Sequence, residues 1–266
     1  MTIDEFMNKF WPEPRFKVKS SEHKEWLSNF VPKEVLKELN ELILEYTDRP
    51  DDETDKKLME FIYKEELWDK AFPVIENRSR EALRILLKYF EDKDEFTLAD
   101  LGSGSGKIAV GLSLYLKNLK KVFAFERAKE GINVMARIIE GLTKKDKDKI
   151  NQKIIPVSGD YRCAFYQREV FRSNPHGTDY TLGIHSGEDG NILIPAAKQI
   201  TKGKMIFAYE QDFNLGEKFT PEEQIGIRGS VMNSEFGFYN LTSRIIDWHK
   251  DTEDKTIIFF ECHKPE

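Results

Sequence analysis

At 266 residues, with 39% hydrophobic and 33% charged residues, the chain has the length and composition of a globular protein that can bury a substantial core. No apolar run approaches the roughly twenty residues of a membrane helix, and a formal charge of −6 gives no overall attraction to nucleic acid. A membrane protein is therefore not expected, and nucleic acid is not favoured as a partner. Cys163 and Cys262 lie far apart without metal-ligand spacing, so neither a disulfide framework nor a metal site is implied. The first residues carry Asp4 and Glu5 and lack a basic, then apolar, signal pattern, which leads to the expectation of an intracellular, cytoplasmic protein.

Residues 15 to 95 read as helical. Between Pro32 and Tyr46, Val35, Leu36, Leu39, Leu42, Ile43 and Tyr46 recur at three- and four-residue intervals and share one face. A polar break from Thr47 to Asp55, containing Pro50, separates this stretch from a second with Leu58, Phe61, Ile62, Leu67 and Trp68. A third, Arg78 to Phe90, sets Ala82, Leu83, Leu86, Leu87 and Phe90 on one side. A boundary is expected near 72 to 77, giving an N-terminal helical extension over 1–76 and an α/β domain over 77–266.

From Phe96 onward strand-like and helix-like segments alternate, which argues for a parallel sheet covered on both faces. Phe96 to Leu101, Lys121 to Phe125, Lys153 to Ser158, Tyr180 to His185 and Lys204 to Tyr209 read as strands. Ile108 to Leu116, Gly131 to Leu142 and Asn191 to Ile200 read as helices. The run Lys144, Lys145, Lys147, Lys149, interleaved with Asp146 and Asp148, reads as a solvated turn. Residues 210–240 lack sustained periodicity and are expected to be an insertion that closes over a substrate. Arg244 to His249 and Lys255 to His263, joined by Lys250 to Asp254, form a hairpin by pattern.

The segment Asp100-Leu101-Gly102-Ser103-Gly104-Ser105-Gly106 joins the first of these strands to the following helix. Glycines at alternate positions let a backbone turn while approaching a ligand closely. Glu126 ends the next apolar run about twenty residues on, the spacing at which a βαβ unit places an acid for ribose hydroxyls. A Walker phosphate loop fails twice, because Leu101 stands where its first glycine belongs and Ile108 where its hydroxyl belongs. A dinucleotide fingerprint survives only as Gly104, Gly106 and Ala109, and the charge of Asp100 would oppose a pyrophosphate.

Asp-x-Gly-x-Gly-x-Gly at a strand end, followed by an acid closing the next strand, resembles motif I of the class I S-adenosylmethionine-dependent methyltransferases. That resemblance implies a Rossmann-like, doubly wound and mostly parallel seven-stranded sheet ending in an antiparallel hairpin. It also implies S-adenosyl-L-methionine as cofactor, held by Asp100, Gly102, Ser103, Gly104 and Gly106, with Glu126 on the ribose. Asp160, in Gly159-Asp160-Tyr161, looks like the acid that meets the adenine, with Tyr161 and Arg127 beside it. Glu126-Arg127-Ala128 and the loop also resemble the disruptor-of-telomeric-silencing histone lysine methyltransferases.

Gly183-Ile184-His185-Ser186-Gly187-Glu188-Asp189-Gly190-Asn191 delivers a histidine, a hydroxyl and two carboxylates into a glycine-rich turn. It resembles a methyltransferase subgroup whose fourth strand ends in a Leu-His-x-Cys turn, with Ser186 and Gly187 standing where that turn has a small residue and cysteine. His185 and Asp189 are the candidate catalytic residues, with His185 also near the cofactor, while a core histidine and a helix start are the plainer readings. The expected activity is methyl transfer to an unidentified acceptor, a protein or small molecule before nucleic acid. A non-catalytic cofactor-binding partner and an NAD-dependent oxidoreductase stay open as alternatives.

Overall fold

A computed structural model describes residues 1–11, 27–67, 73–184, 190–210, 219–251 and 255–265. Seven strands form one sheet: β1 (Phe96–Leu101), β2 (Leu119–Glu126), β3 (Ile154–Ser158), β4 (Thr178–Ile184), β5 (Thr201–Glu210), β6 (Thr242–Lys250) and β7 (Thr256–His263). Their order is β3-β2-β1-β4-β5-β7-β6, parallel from β3 to β5 and antiparallel at β7 and β6. This is the Rossmann-like, doubly wound sheet with a terminal hairpin that the sequence leads one to expect. The order reverses between β1 and β4, and the crevice above the carboxyl ends of strands at such a point is where ligands of open α/β sheets bind.

The central strands are apolar because both their faces are covered. One face packs against α1 (Ile3–Phe10), α4 (Pro73–Phe90), α5 (Lys107–Tyr115) and α6 (Lys129–Glu140), in a core with Leu83, Leu86, Phe90, Leu98, Leu112, Val122 and Met135. The other carries α8 (Ala164–Ser173), α9 (Gly190–Ile200) and α10 (Pro221–Phe238), around Phe123, Phe125, Val170, Ile194, Phe207, Phe236 and Phe260.

The N-terminal helices divide in two. Phe6 and Met7 of α1, with the following Trp11, are buried in the main core, and Thr2 and Glu5 cap the helix reciprocally. By contrast, α2 (Lys33–Asp48) and α3 (Asp52–Lys64) pack on each other around Leu39, Leu42, Leu58, Phe61 and Ile62, a satellite core of their own. Asp51 caps α3 by accepting from the Glu53 and Thr54 amides at 3.1 and 2.9 Å.

One local expectation needs correction, and the expected insertion gains a regular element. Lys144–Asn151 is not a turn but a two-turn helix, α7, opened by Thr143 accepting from the Asp146 amide and anchored by buried Ile150. Within 210–240, Pro221–Phe238 is a regular helix with a Thr220–Glu223 capping box, and its Met232 and Phe236 are fully buried against the sheet. Gly226, Gly229 and Gly237 interrupt the apolar rhythm of that helix and hide it in the sequence. Residues 211–218 lie outside the described residues.

At the carboxyl edge of the sheet, Arg78 of α4 donates through Nε and Nη2 to Asp251 Oδ2 at 2.9 and 2.7 Å and meets Glu210 at 3.0 Å. Asp251 Oδ1 accepts from the Lys255 amide at 3.0 Å. This cluster ties the start of α4 to the end of β5 and the β6–β7 turn, and the Asp251 side chain is 0% exposed. Removing one partner of a buried pair strands the other charge. Arg78→Ala is therefore expected to lower unfolding free energy by about 3–5 kcal/mol, measured as a shift of the urea midpoint at constant slope.

Candidate functional site

β1 delivers Asp100 to the sheet edge, and the chain then bends through Gly102, Gly104 and Gly106 at φ of 69°, 57° and 73°. All three are left-handed, where a side chain costs energy, so this bend requires glycine. The bend is sewn to β2: the Ser103 amide donates to the Phe125 carbonyl at 2.8 Å, and the Gly106 amide returns to the Ser103 carbonyl at 2.9 Å. Gly106 then starts α5, whose free amides and dipole face the bend.

Glu126 closes β2 and is 8% exposed. Its Oε2 accepts from the Gly104 amide and its Oε1 from the Ala128 amide, both at 2.8 Å. Burial pushes its pKa up, and these two amide bonds pull against that shift. Asp100, 2% exposed, is differently placed. Its Oδ2 has no hydrogen-bond partner among the described residues, and neither has the buried Ser103 Oγ. Burial first, then the Glu126 charge, pushes the Asp100 carboxyl up to about 7.

The third acid arrives through the Gly159 amide, which donates to the Glu126 carbonyl at 2.9 Å and so extends the β2–β3 ladder by one step. Asp160 accepts from the Arg162 amide and Nε at 2.8 Å. Burial raises its pKa, but the Arg162 guanidinium and amide outweigh that and hold it below the usual range. Tyr161 is 7% exposed and packs into the core with Val157 and Val170.

Helix α3 leans on this edge, which the sequence did not suggest. Arg127 pairs with Asp52 at 3.1 Å and with Asp55, and Arg162 Nη2 reaches Asp52 at 2.6 Å. Glu60 accepts from the Lys129 and Glu130 amides at 2.7 and 3.0 Å, capping α6 from outside. Tyr63 lies over the glycine bend, since a Cβ built on Gly104 would stand 3.0 Å from its hydroxyl oxygen. The available signal was the acidic run Asp51, Asp52, Glu53, Asp55, which reads as an ordinary helix start.

Asp100, Gly102, Ser103, Gly104, Gly106, Glu126, Arg127 and Asp160 thus gather at one edge of the sheet. His185 and Asp189 lie outside the described residues; β4 is described to Ile184, which pairs with Ala208. Among the described residues no group of three or more His, Cys, Asp or Glu could hold a metal ion, and no helix is long and apolar enough to cross a membrane.

No protein-family model matches the chain, and no curated protein matches it. Among solved structures it is similar to precorrin-6y C5,15-methyltransferase from Geobacter metallireducens GS-15, at 12% identity over 70% of this chain and 89% of that one, with a TM-score of 0.46. A SAM-dependent methyltransferase from Aquifex aeolicus matches at 15% identity over 67% of this chain and 88% of that chain, with a TM-score of 0.43. P. horikoshii TYW2, solved in complex with MeSAdo, matches at 15% over 68% and 62%, also at 0.43. The fold class rests on this chain's own strand order.

The raised pKa of Asp100 has a sign. Unfolded, the group releases its proton near 3.8; folded, it holds it to about 7. The folded state therefore loses stability as pH rises between those values, up to about 4 kcal/mol at about 1.4 kcal/mol per unit, and the loss is complete above about 7. Asp100→Asn is expected to remove it, so the variant gains on the unliganded parent from pH 4 to 7 and then runs parallel, as followed by thermal unfolding across pH.

Proposed function

We propose that the chain binds S-adenosylmethionine at the β1–β2 edge and transfers its methyl group to a protein or small-molecule acceptor. One observation carries this reading. Two buried carboxylates, Asp100 and Glu126, stand at the ends of adjacent parallel strands and bracket a left-handed glycine bend, and one oxygen of Asp100 lacks a partner among the described residues. Such a site favours a ligand with positive charge and hydroxyl donors. A pyrophosphate would bring like charge against Asp100, which speaks against a nicotinamide dinucleotide.

The residues present fit that cofactor. Asp100 would offer its carboxylate to a cationic group, and the α5 N-terminus would offer its amides to an anionic one. Glu126, its oxygens oriented by the Gly104 and Ala128 amides, keeps lone pairs for two ribose hydroxyls. Asp160, kept ionised by Arg162, would accept from the adenine amino group. When bound, the sulfonium supplies an electrophilic methyl group. The protein's task is then alignment and exclusion of water, and a base is needed only where the acceptor atom carries a proton. His185 and Asp189 are the residues we assign to the acceptor side.

Titration calorimetry with S-adenosylhomocysteine tests the reading, and no heat at near-millimolar ligand would overturn it. Glu126→Gln, which keeps one acceptor oxygen, is expected to weaken binding by about tenfold to a hundredfold, the loss of one charge-assisted hydrogen bond. Gly104→Val, which forces a β-branched residue to φ of 57° against Tyr63, is expected to abolish it. S-adenosylmethionine affinity should rise as pH increases from 6 to 8, because Asp100 attracts a cation only once it has lost the proton held to about 7.

A further inference from the structure

We propose that the α2–α3 hairpin is the gate of the nucleoside site, latched shut by Asp52 and Asp55 on Arg127 and Arg162. The proposal rests on the cofactor reading above and adds residues that the sequence pattern assigns to no site.

Asp52, Asp55, Glu60 and Tyr63 fall at helical spacing along one side of α3, while Leu58, Phe61 and Ile62 pack with α2. Three of the proposed nucleoside contacts, Gly104, Glu126 and Asp160, have a neighbour that meets that side. Tyr63 covers Gly104 of the bend, Arg127 follows Glu126, and Arg162 holds Asp160. Glu60 adds two bonds to the first amides of α6. At Gly131 of α6 an added Cβ would lie 2.8 Å from Glu126 Cγ, 3.1 Å from the Gly104 carbonyl and 3.2 Å from Tyr63 Cε2. Bend, acid and hairpin therefore meet at a point with no room to spare.

What holds the hairpin down differs from what holds the rest of the molecule together. Most of its apolar residues pack in the satellite core, so lifting it together with Leu27, Val31 and Leu67 leaves that core intact, whereas Tyr63, 4% exposed, and Met59 also pack into the main core. Among the described residues its grip on the α/β body combines ion pairs between side chains with 25–65% exposure, the two Glu60 bonds, and the packing of Tyr63 and Met59 into the main core. Partly exposed pairs of this kind are individually weak and are screened by salt. The arrangement suits a cover that opens for ligand exchange and closes over the bound nucleoside.

The test uses the full chain and the double variant Asp52→Asn/Asp55→Asn. Two rates are measured: amide exchange at Lys129 and Glu130 without ligand, and stopped-flow release of S-adenosylhomocysteine. The gate predicts at least about tenfold faster exchange and at least about fivefold faster release in the variant. It also predicts that raising NaCl from about 0.05 to about 0.5 M speeds release from the parent far more than from the variant. The salt series on the parent needs no substitution. If the variant still binds and either rate is unchanged, or if salt leaves release from the parent unaltered, the hairpin is a fixed wall and the gate is overturned. Faster exchange in a protein that binds no S-adenosylhomocysteine would keep the latch and overturn the cofactor reading.

Discussion

Two carboxyl groups on neighbouring strands, both out of water, set the terms for the rest of this molecule. In the pairing of β1 with β2, Asp100 stands opposite Ala124 and Glu126 lies two residues further along. Like charges in a poorly solvated place raise each other's pKa, and each also bears the cost of burial. The protein treats them unequally. Glu126 receives two backbone N–H groups, whereas Asp100 has one oxygen without a partner and holds its proton to about 7. A cost left uncompensated in a strand that is otherwise well packed points to a ligand that supplies the missing charge.

The sheet makes that asymmetry possible. Parallel strands end together at one edge, and strand order reverses between β1 and β4, the point at which open α/β sheets form a ligand crevice. Hydrogen bonding continues past the strands themselves, from Ser103 to Phe125 and from Gly159 to Glu126. The glycine bend and the turn bearing Asp160 are thus extensions of the sheet rather than free loops. Backbone bonds of this kind pre-set the geometry of the bend, which the proposed recognition of a charged nucleoside would need.

The part of the site that could be read from sequence is the part built by neighbours in sequence. Asp100, the three glycines and Glu126 belong to one βαβ unit, where spacing dictates position, and the alternation after Phe96 announced the parallel sheet. Asp160 could be placed only by resemblance, and its Arg162 partner two residues on looks like turn chemistry. Asp52, Asp55, Glu60 and Tyr63 were invisible as site residues because they reach it from α3, roughly seventy residues from Arg127 and Lys129 in the chain. An acidic first turn is what any helix start prefers, so nothing local distinguishes a cap from a latch. In α7 the charges hide a helix with a single buried anchor, Ile150, and in α10 three glycines blur the period.

The N-terminal helices also show how the site keeps its sign. Lys107 directly follows the last glycine of the bend and would neutralise one of the two acids if it turned toward them. It is instead 3% exposed, with Nζ 5.0 Å from the centre of the Trp11 ring. Trp11 is itself held in the main core beside Phe6, with ring centres 6.0 Å apart. Trp11, the residue after α1, thus lies beside the Lys107 ammonium, while α3 engages Arg127 and Arg162 through Asp52 and Asp55. Among the described residues the two buried carboxyl groups at the bend are Asp100 and Glu126, and the Arg127 charge still acts on Glu126. On the proposed cofactor reading, selectivity for a cationic nucleoside over an anionic dinucleotide would depend on where the basic side chains stand as much as on the acidic ones.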